Sequence, residues 1–190
     1  MKGPVTGSPE RWIVIAVVVV LVAGMLLSSI AVQVRDRSMR EDLLITTRLS
    51  AAGVPLGNIE NLTATENDLR SPEYGALKTL MVDLHSSDPH TRFVYLMGRN
   101  PEGEVFFFID SELPDSKDYS PPGQVYSEAT ESTHLVFTSG LESTIGPVTD
   151  RWGTWVSGLV PLRDSGTGEI IAVLGMDVDA GDWNSQLAAA

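Results

Sequence analysis

Residues 150–180, DRWGTWVSGLVPLRDSGTGEIIAVLGMDVDA, decide the fold. Asp164-Ser165-Gly166-Thr167-Gly168 is a dense cluster of turn formers between two runs rich in Val, Ile and Trp, a pattern that predicts two long β-strands joined by a tight turn. In the second strand Ile170, Ala172, Leu174, Met176 and Val178 share one face and are all apolar. The opposite face carries Glu169, Ile171, Val173, Gly175, Asp177 and Asp179. Side chains alternate across a strand, so this one buries one face fully and turns acidic toward one end of the other. Such a strand belongs to a sheet covered on both sides. The polar end is the place to look for a site.

Upstream, residues 91–110 repeat the theme. RFVYLMGR (92–99) and EVFFFID (104–110) predict two further strands, joined by the turn Asn100-Pro101-Glu102-Gly103. A strand near 144–148 leads into the 150–180 hairpin. Between the two hairpins the chain is polar and irregular, SELPDSKDYSPPGQVY, and Pro121-Pro122-Gly123 excludes regular structure there. Tyr119 and Tyr126 frame this stretch: either the loop lines a pocket, or its tyrosines anchor a surface loop to the core. Residues 127–138 predict a helix ended by Gly140.

Helices account for the rest. Residues 12–32, WIVIAVVVVLVAGMLLSSIAV, are 21 positions without a charge, long enough to cross roughly 30 Å of hydrocarbon at about 1.5 Å per residue. Ser29-Ile30-Ala31 loosely matches a signal-peptidase site, but the run exceeds the roughly 7–15 apolar residues of a signal peptide, which favours an uncleaved anchor after a short tail, 1–11. Lys2 and Arg11 stand on one side against Arg35, Arg37 and Arg40 on the other, so charge counting gives no orientation. Residues 33–52 continue the helix outward, with Met39, Leu43, Leu44 and Leu49 at helical spacing. This segment reads either as an amphipathic helix packed on its own sheet or as one of a parallel helix pair in a homodimer. Gly53-Val54-Pro55 breaks it, and a short helical segment over 56–62 follows. Ser71-Pro72-Glu73 starts another helix, running to about residue 85. A last helix begins at Asp182 and stops at Ala190 without a Gly or Pro cap, as expected of a chain cut short. The layout is α+β: an antiparallel sheet with helices on its faces, preceded by a membrane helix.

Composition excludes several classes. There is no cysteine, hence no disulfide, thiolate metal site or thiol nucleophile. Net charge is -12, and since Lys2 and Arg11 against Glu10 make the first 32 residues +1, the remainder carries -13. That acidity argues against nucleic acid or anionic lipid as partner. His85, His90 and His134 read as solvated loop residues, and no metal or cofactor is expected. Asp177-Val178-Asp179 matches the short DxD metal motif of some sugar transferases, but no nucleotide loop, activated nucleophile or acid–base pair accompanies it. An enzyme is not expected.

Taken in order, the leading helix, RFVYLMGR with FFFID, YSPPGQVY, DRWGTWVSGLVPLRD, EIIAVLGMDVDA and the final Trp-containing helix resemble a known set. They are similar to the extracytoplasmic PAS-like sensor modules, also called PDC or Cache domains, of bacterial membrane-bound signalling proteins such as sensor histidine kinases and diguanylate cyclases. The resemblance covers residues 33–190, with 33–180 as the sensor domain and 181–190 as the start of an exit helix. It implies a five-stranded antiparallel sheet, a sensor domain beyond the bacterial inner (cell) membrane, in the periplasm or outside the cell, and relay of a ligand signal to an output domain. In amino-acid-binding members a last-strand Asp holds the ligand's amino group, and Asp177 matches that position. Those members also carry Arg-x-Trp-Tyr in the loop after the second strand, where this chain has Pro121-Pro122-Gly123-Gln124, so Asp177 alone is carried over.

The residues themselves point to the same place. Asp177 lies beside Gly175, whose missing side chain would leave room for a ligand, and Asp110 ends another strand. Tyr95, Tyr119, Tyr126 and Trp155 are candidate walls, and Arg151 is a candidate receptor for a carboxylate. The expected ligand is small and polar or cationic, with Asp177 as its main charged contact. The competing roles for Asp177 are a turn cap or an ion pair with Arg151 or Arg163, and the competing reading of the whole is a membrane-tethered structural or protein-interaction domain.

Overall fold

The computed structural model describes residues 9–189. Helix α1 (Pro9–Ala52) is unbroken over 44 residues. Its residues 12–34 are exposed throughout, and it is, among the described residues, the one helix long and apolar enough to cross a membrane. A short α2 (Leu56–Glu60), a 3-10 turn (Glu66–Arg70) and α3 (Pro72–Ser87) follow. Ser71 caps α3 by accepting the Tyr74 N–H at 3.1 Å, as the Ser-Pro-Glu start predicts, and the helix runs past residue 85 to Ser87.

Five strands form one antiparallel sheet: β1 (Thr91–Arg99), β2 (Val105–Asp110), β3 (Ser143–Thr149), β4 (Thr154–Arg163) and β5 (Ile170–Asp179), in spatial order β2-β1-β5-β4-β3. The opening hairpin is therefore β4–β5, with β5 at the sheet's centre. Asp164 closes its turn: Oδ1 accepts from Gly166 N at 3.0 Å and from Thr167 N, and the left-handed turn position falls on Gly168, φ 75°. Between the hairpins α4 (Glu131–Ser139) begins four residues later than expected. Thr130, not Ser127, accepts the orphan N–H of Thr133, and Gly140 ends the helix in the left-handed conformation as expected. The last helix, α5 (Ala180–Ala188), follows β5 with no loop, its N-cap being Asp179.

The two sheet faces bury different things. Ala172, Leu174, Met176 and Val178 of β5, Val94 and Leu96 of β1, and Val156, Val160 and Leu162 of β4 form an apolar layer with Met39 and Leu43 of α1, Leu77 and Met81 of α3 and Trp183 of α5. Gly158 sits in that layer because a Cβ there would strike Leu43 and Thr47, so its absence lets α1 lie against β4. The opposite face holds Phe93, Tyr95, Met97, Phe107, Trp155, Leu159 and Val173. It is roofed by α4 and by the 111–130 loop, which Phe107 and Val105 hold to the edge strand through main-chain bonds to Gly123, Gln124 and Tyr126.

Candidate functional site

The aromatic face opens into a cleft at the Asp177 end of β5. Alternation puts Asp177 on this face, and the register places Phe93 of β1 on one side of it and Ser157 of β4 on the other. Two residues back, Gly175 lies between Tyr95 and Leu159. The space beside Gly175 is not left for a ligand: the Tyr95 ring fills the place that a Cβ would take. That close approach carries the Tyr95 hydroxyl diagonally to Asp177, where it donates to Oδ1 at 2.9 Å.

A β-bulge supplies the next wall. Leu96 pairs with Ile109 but Met97 pairs with Phe107, so Phe108 is the extra residue of β2. Phe107 and Asp110 are three apart and would face opposite ways in a regular strand; the bulge puts both on the cleft. Phe107 meets Tyr95 edge-on at 5.5 Å and Trp152 at 5.8 Å, and Phe93 meets Trp155 at 5.0 Å. The residues around the cleft are thus Phe93, Tyr95, Phe107, Tyr126, Trp152 and Trp155, with Asp110, Asp118, Asp150, Asp177 and Ser120. Its free space is about 30 Å³, above the roughly 10–15 Å³ that admits one water.

The four carboxylates are held very differently. Asp110 takes Lys78 Nζ of α3 at 3.0 Å on Oδ1 and the Ser120 N–H at 2.6 Å on Oδ2, while burial pushes its carboxyl up and these two donors pull it back. Asp118 pairs with Arg92 at 2.7 Å. Asp150 Oδ1 accepts from Trp152 N, Gly153 N and the Trp155 indole at 2.9, 3.1 and 2.9 Å, and Oδ2 accepts from the Tyr126 hydroxyl at 3.0 Å. Asp177 is 5 % exposed; it accepts from the Tyr95 hydroxyl, and Ser157 stands opposite it in the register. Burial pushes its carboxyl up to about 7; the Ser157 and Tyr95 hydroxyls oppose this and the charge of Asp150 adds to it. Burial, with the negative Asp177 beside it, also keeps the Tyr95 phenol well above its usual range.

Five of the seven residues singled out from sequence, Asp177, Asp110, Tyr95, Tyr126 and Trp155, surround this one cleft. Two do not. The Tyr119 hydroxyl meets that of Tyr74 at 3.3 Å and its ring packs on Lys78, anchoring the loop to α3. Arg151 turns outward to Glu128, with Nε at 2.7 Å and Nη2 at 2.5 Å from its carboxylate. The alternatives for Asp177, a cap or a pair with Arg151 or Arg163, do not occur: Arg163 donates to the carbonyls of Gly140 and Gly168. Asp179 is the cap, accepting from Gly181 N at 2.7 Å and Asp182 N at 3.3 Å. Asp150, Asp118, Phe93, Phe107, Trp152 and Ser120 escape sequence reading. Only Asp150 carries a local signal, the Asp-x-x-Gly of a turn in which the aspartate folds back on its own main chain.

No protein-family model and no curated protein matches the chain in sequence. Solved structures match it in fold. The ligand-binding domain of the Campylobacter jejuni chemoreceptor Tlp3 in complex with L-valine superposes with a TM-score of 0.51 at 16 % identity, over 87 % of this chain and 64 % of that one. The sensory domain of the same receptor gives 0.53 at 15 %, over 86 % and 64 %. The periplasmic sensory domain of the Campylobacter jejuni chemoreceptor Tlp1 gives 0.53 at 12 %, over 84 % and 61 %. The chain spans just under two thirds of the length of each. These superpositions show that the molecule shares the fold of these chemoreceptor sensory domains.

Proposed function

We propose that the chain is the extracytoplasmic ligand-sensing part of a membrane signalling protein, without catalytic activity of its own. A small molecule enters between the sheet and the 111–130 loop, with Asp177 as its main charged contact. The observation that carries this reading is Asp177 itself, a carboxyl group buried at a cleft with a hydroxyl partner and, among the described residues, no counter-ion, an arrangement costly to keep unless something complementary binds.

The strands that bear the cleft also bear the route out. Trp155 and Asp177 point into the cleft, while the opposite sides of β4 and β5 hold α1 and α5. Thr144 Oγ1 donates to the Arg40 carbonyl at 3.0 Å, Arg40 to the Gly146 carbonyl at 3.1 Å, and the Trp183 indole to Asp36 at 2.9 Å. A ligand that draws the loop onto the sheet shifts the balance between two settings of the membrane-proximal helices, α1 and α5, and the membrane helices relay that shift to an output domain. Two copies of the chain pairing through α1 would read that shift as a change between helices. The competing structural-domain reading expects an apolar, tightly packed sheet face near Gly175. Tyr95 does pack Gly175, but the face turns polar at Ser157 and Asp177.

A thermal-shift screen of amines, amino acids, organic acids and sugars on the full chain in nanodiscs checks the reading. At least one class raises the melting temperature, and Asp177→Ala abolishes the rise. A hit that Asp177→Ala binds normally removes Asp177 from the site.

A further inference from the structure

The cleft's charges narrow the ligand's class. Four carboxylates face it, and among the described residues no Lys, Arg or His lines it. Lys78 and Arg92 neutralise Asp110 and Asp118 from outside. The N–H groups of Ser120, Trp152, Gly153 and the Trp155 indole are already given to Asp110 and Asp150. A ligand carboxylate would meet like charges and find those donors taken. Asp177 is the reverse case, a buried carboxylate whose partners are neutral. The rings of Phe107 and Trp155 line the same cleft, while the Phe93 ring already carries the Arg92 guanidinium at 4.0 Å, and aromatic faces attract ammonium groups most strongly where water is excluded.

We propose that the cleft recognises a small organic cation without a carboxylate, such as an alkylammonium, a methylated ammonium or an amino alcohol. Its ammonium group sits on Asp177 between the aromatic rings. This rests on the ligand-sensing reading above and would fail separately from it. The cation supplies the counter-charge that Asp177 lacks, and its carbon substituents lie against the rings. An amino acid of the same side chain brings the same ammonium with a carboxylate that Asp150 repels and that finds no Lys, Arg or His on the cleft wall. With free space of about 30 Å³, the cleft admits a small ammonium head in place of water, and a longer tail must lift the 111–130 loop.

Matched pairs isolate the carboxylate: methylammonium against glycine, ethanolamine against serine, isobutylamine against valine, with acetate alone as control. Each is titrated calorimetrically into the full chain in nanodiscs. At least one amine binds, its amino-acid partner binds roughly a hundredfold more weakly or not at all, and acetate does not bind. Asp177→Asn weakens the amine by roughly thirtyfold or more. The ranking on the unaltered chain decides the matter even if that variant folds poorly. An amino acid that binds as well as its amine overturns the proposal and leaves the sensing reading standing. Failure of every amine overturns the proposal too, and the broader screen then decides whether any ligand is sensed.

Discussion

The two faces of the sheet share strands but obey different rules. On the helix face β5 contributes Ala172, Leu174, Met176 and Val178, sealed under α1, α3 and α5. On the other face the same strand contributes Val173, Gly175 and Asp177, and the cover is a loop and one short helix. One face is spent on stability, the other on a buried charge and a cavity, which cost stability. A sheet that senses needs both: the sealed face fixes the strands so firmly that the open face can keep an uncompensated carboxylate.

Substitutions that treat the faces alike should give unlike results. Leu174→Ala, at a side chain with no exposed surface, opens a hole in the sealed layer and should cost about 2–5 kcal/mol in urea denaturation. A smaller loss would mean that α1 and α3 collapse onto the gap and that the sealed face is softer than described. Gly175→Ala acts on the open face. The new methyl group strikes the Tyr95 ring, so a cost of about 1–3 kcal/mol is expected, together with loss of the Tyr95–Asp177 bond and of ligand stabilisation. If Gly175→Ala melts and binds like the parent, Tyr95 is not the brace of Asp177. At the rim, Arg151→Ala breaks a pair whose side chains are 40 % and 30 % exposed, so stability should move by no more than about 1 kcal/mol and ligand affinity should stay unchanged. An Arg151 variant that loses binding would restore that residue to the site.

Local features were legible in the sequence. The Asp164–Gly168 turn, the β5 alternation, the Ser71 cap and the Gly140 stop each depend on neighbours a few residues away, and each is where the pattern puts it. Asp177 was legible for the same reason, since alternation alone sets its face. What pairing decides was not. Tyr95 reaches Gly175 only because β1 lies against β5, across 80 positions of chain. Phe107 joined Asp110 on the cleft only through a bulge at Phe108, and nothing in Phe106-Phe107-Phe108 marks which residue is extra. Arg151 and Asp150 are adjacent, and the turn's geometry gives the cleft to the aspartate and the solvent to the arginine. Tyr119 and Tyr126 frame the same loop, yet only Tyr126 reaches the cleft because Lys78 and Tyr74 hold the other on α3.

The central claim is that Asp177 is a buried carboxylate waiting for a cation. Carbon-13 NMR of aspartate-labelled chain in nanodiscs, with the Asp177 signal identified by its loss in Asp177→Asn, measures this directly. Tyr95, Tyr126 and Asp150 are the titratable groups that face it. The carboxyl should titrate near 7 in the free chain, well above the ordinary 3.8. The folded state then holds the proton more tightly, so the stability due to Asp177 is full below about pH 4 and is lost as pH rises to 7, a decline that Asp177→Asn lacks. On adding an amine the midpoint should fall toward the ordinary carboxylate range, as the counter-charge arrives. A free-chain midpoint near 4 that no added cation moves would contradict the account.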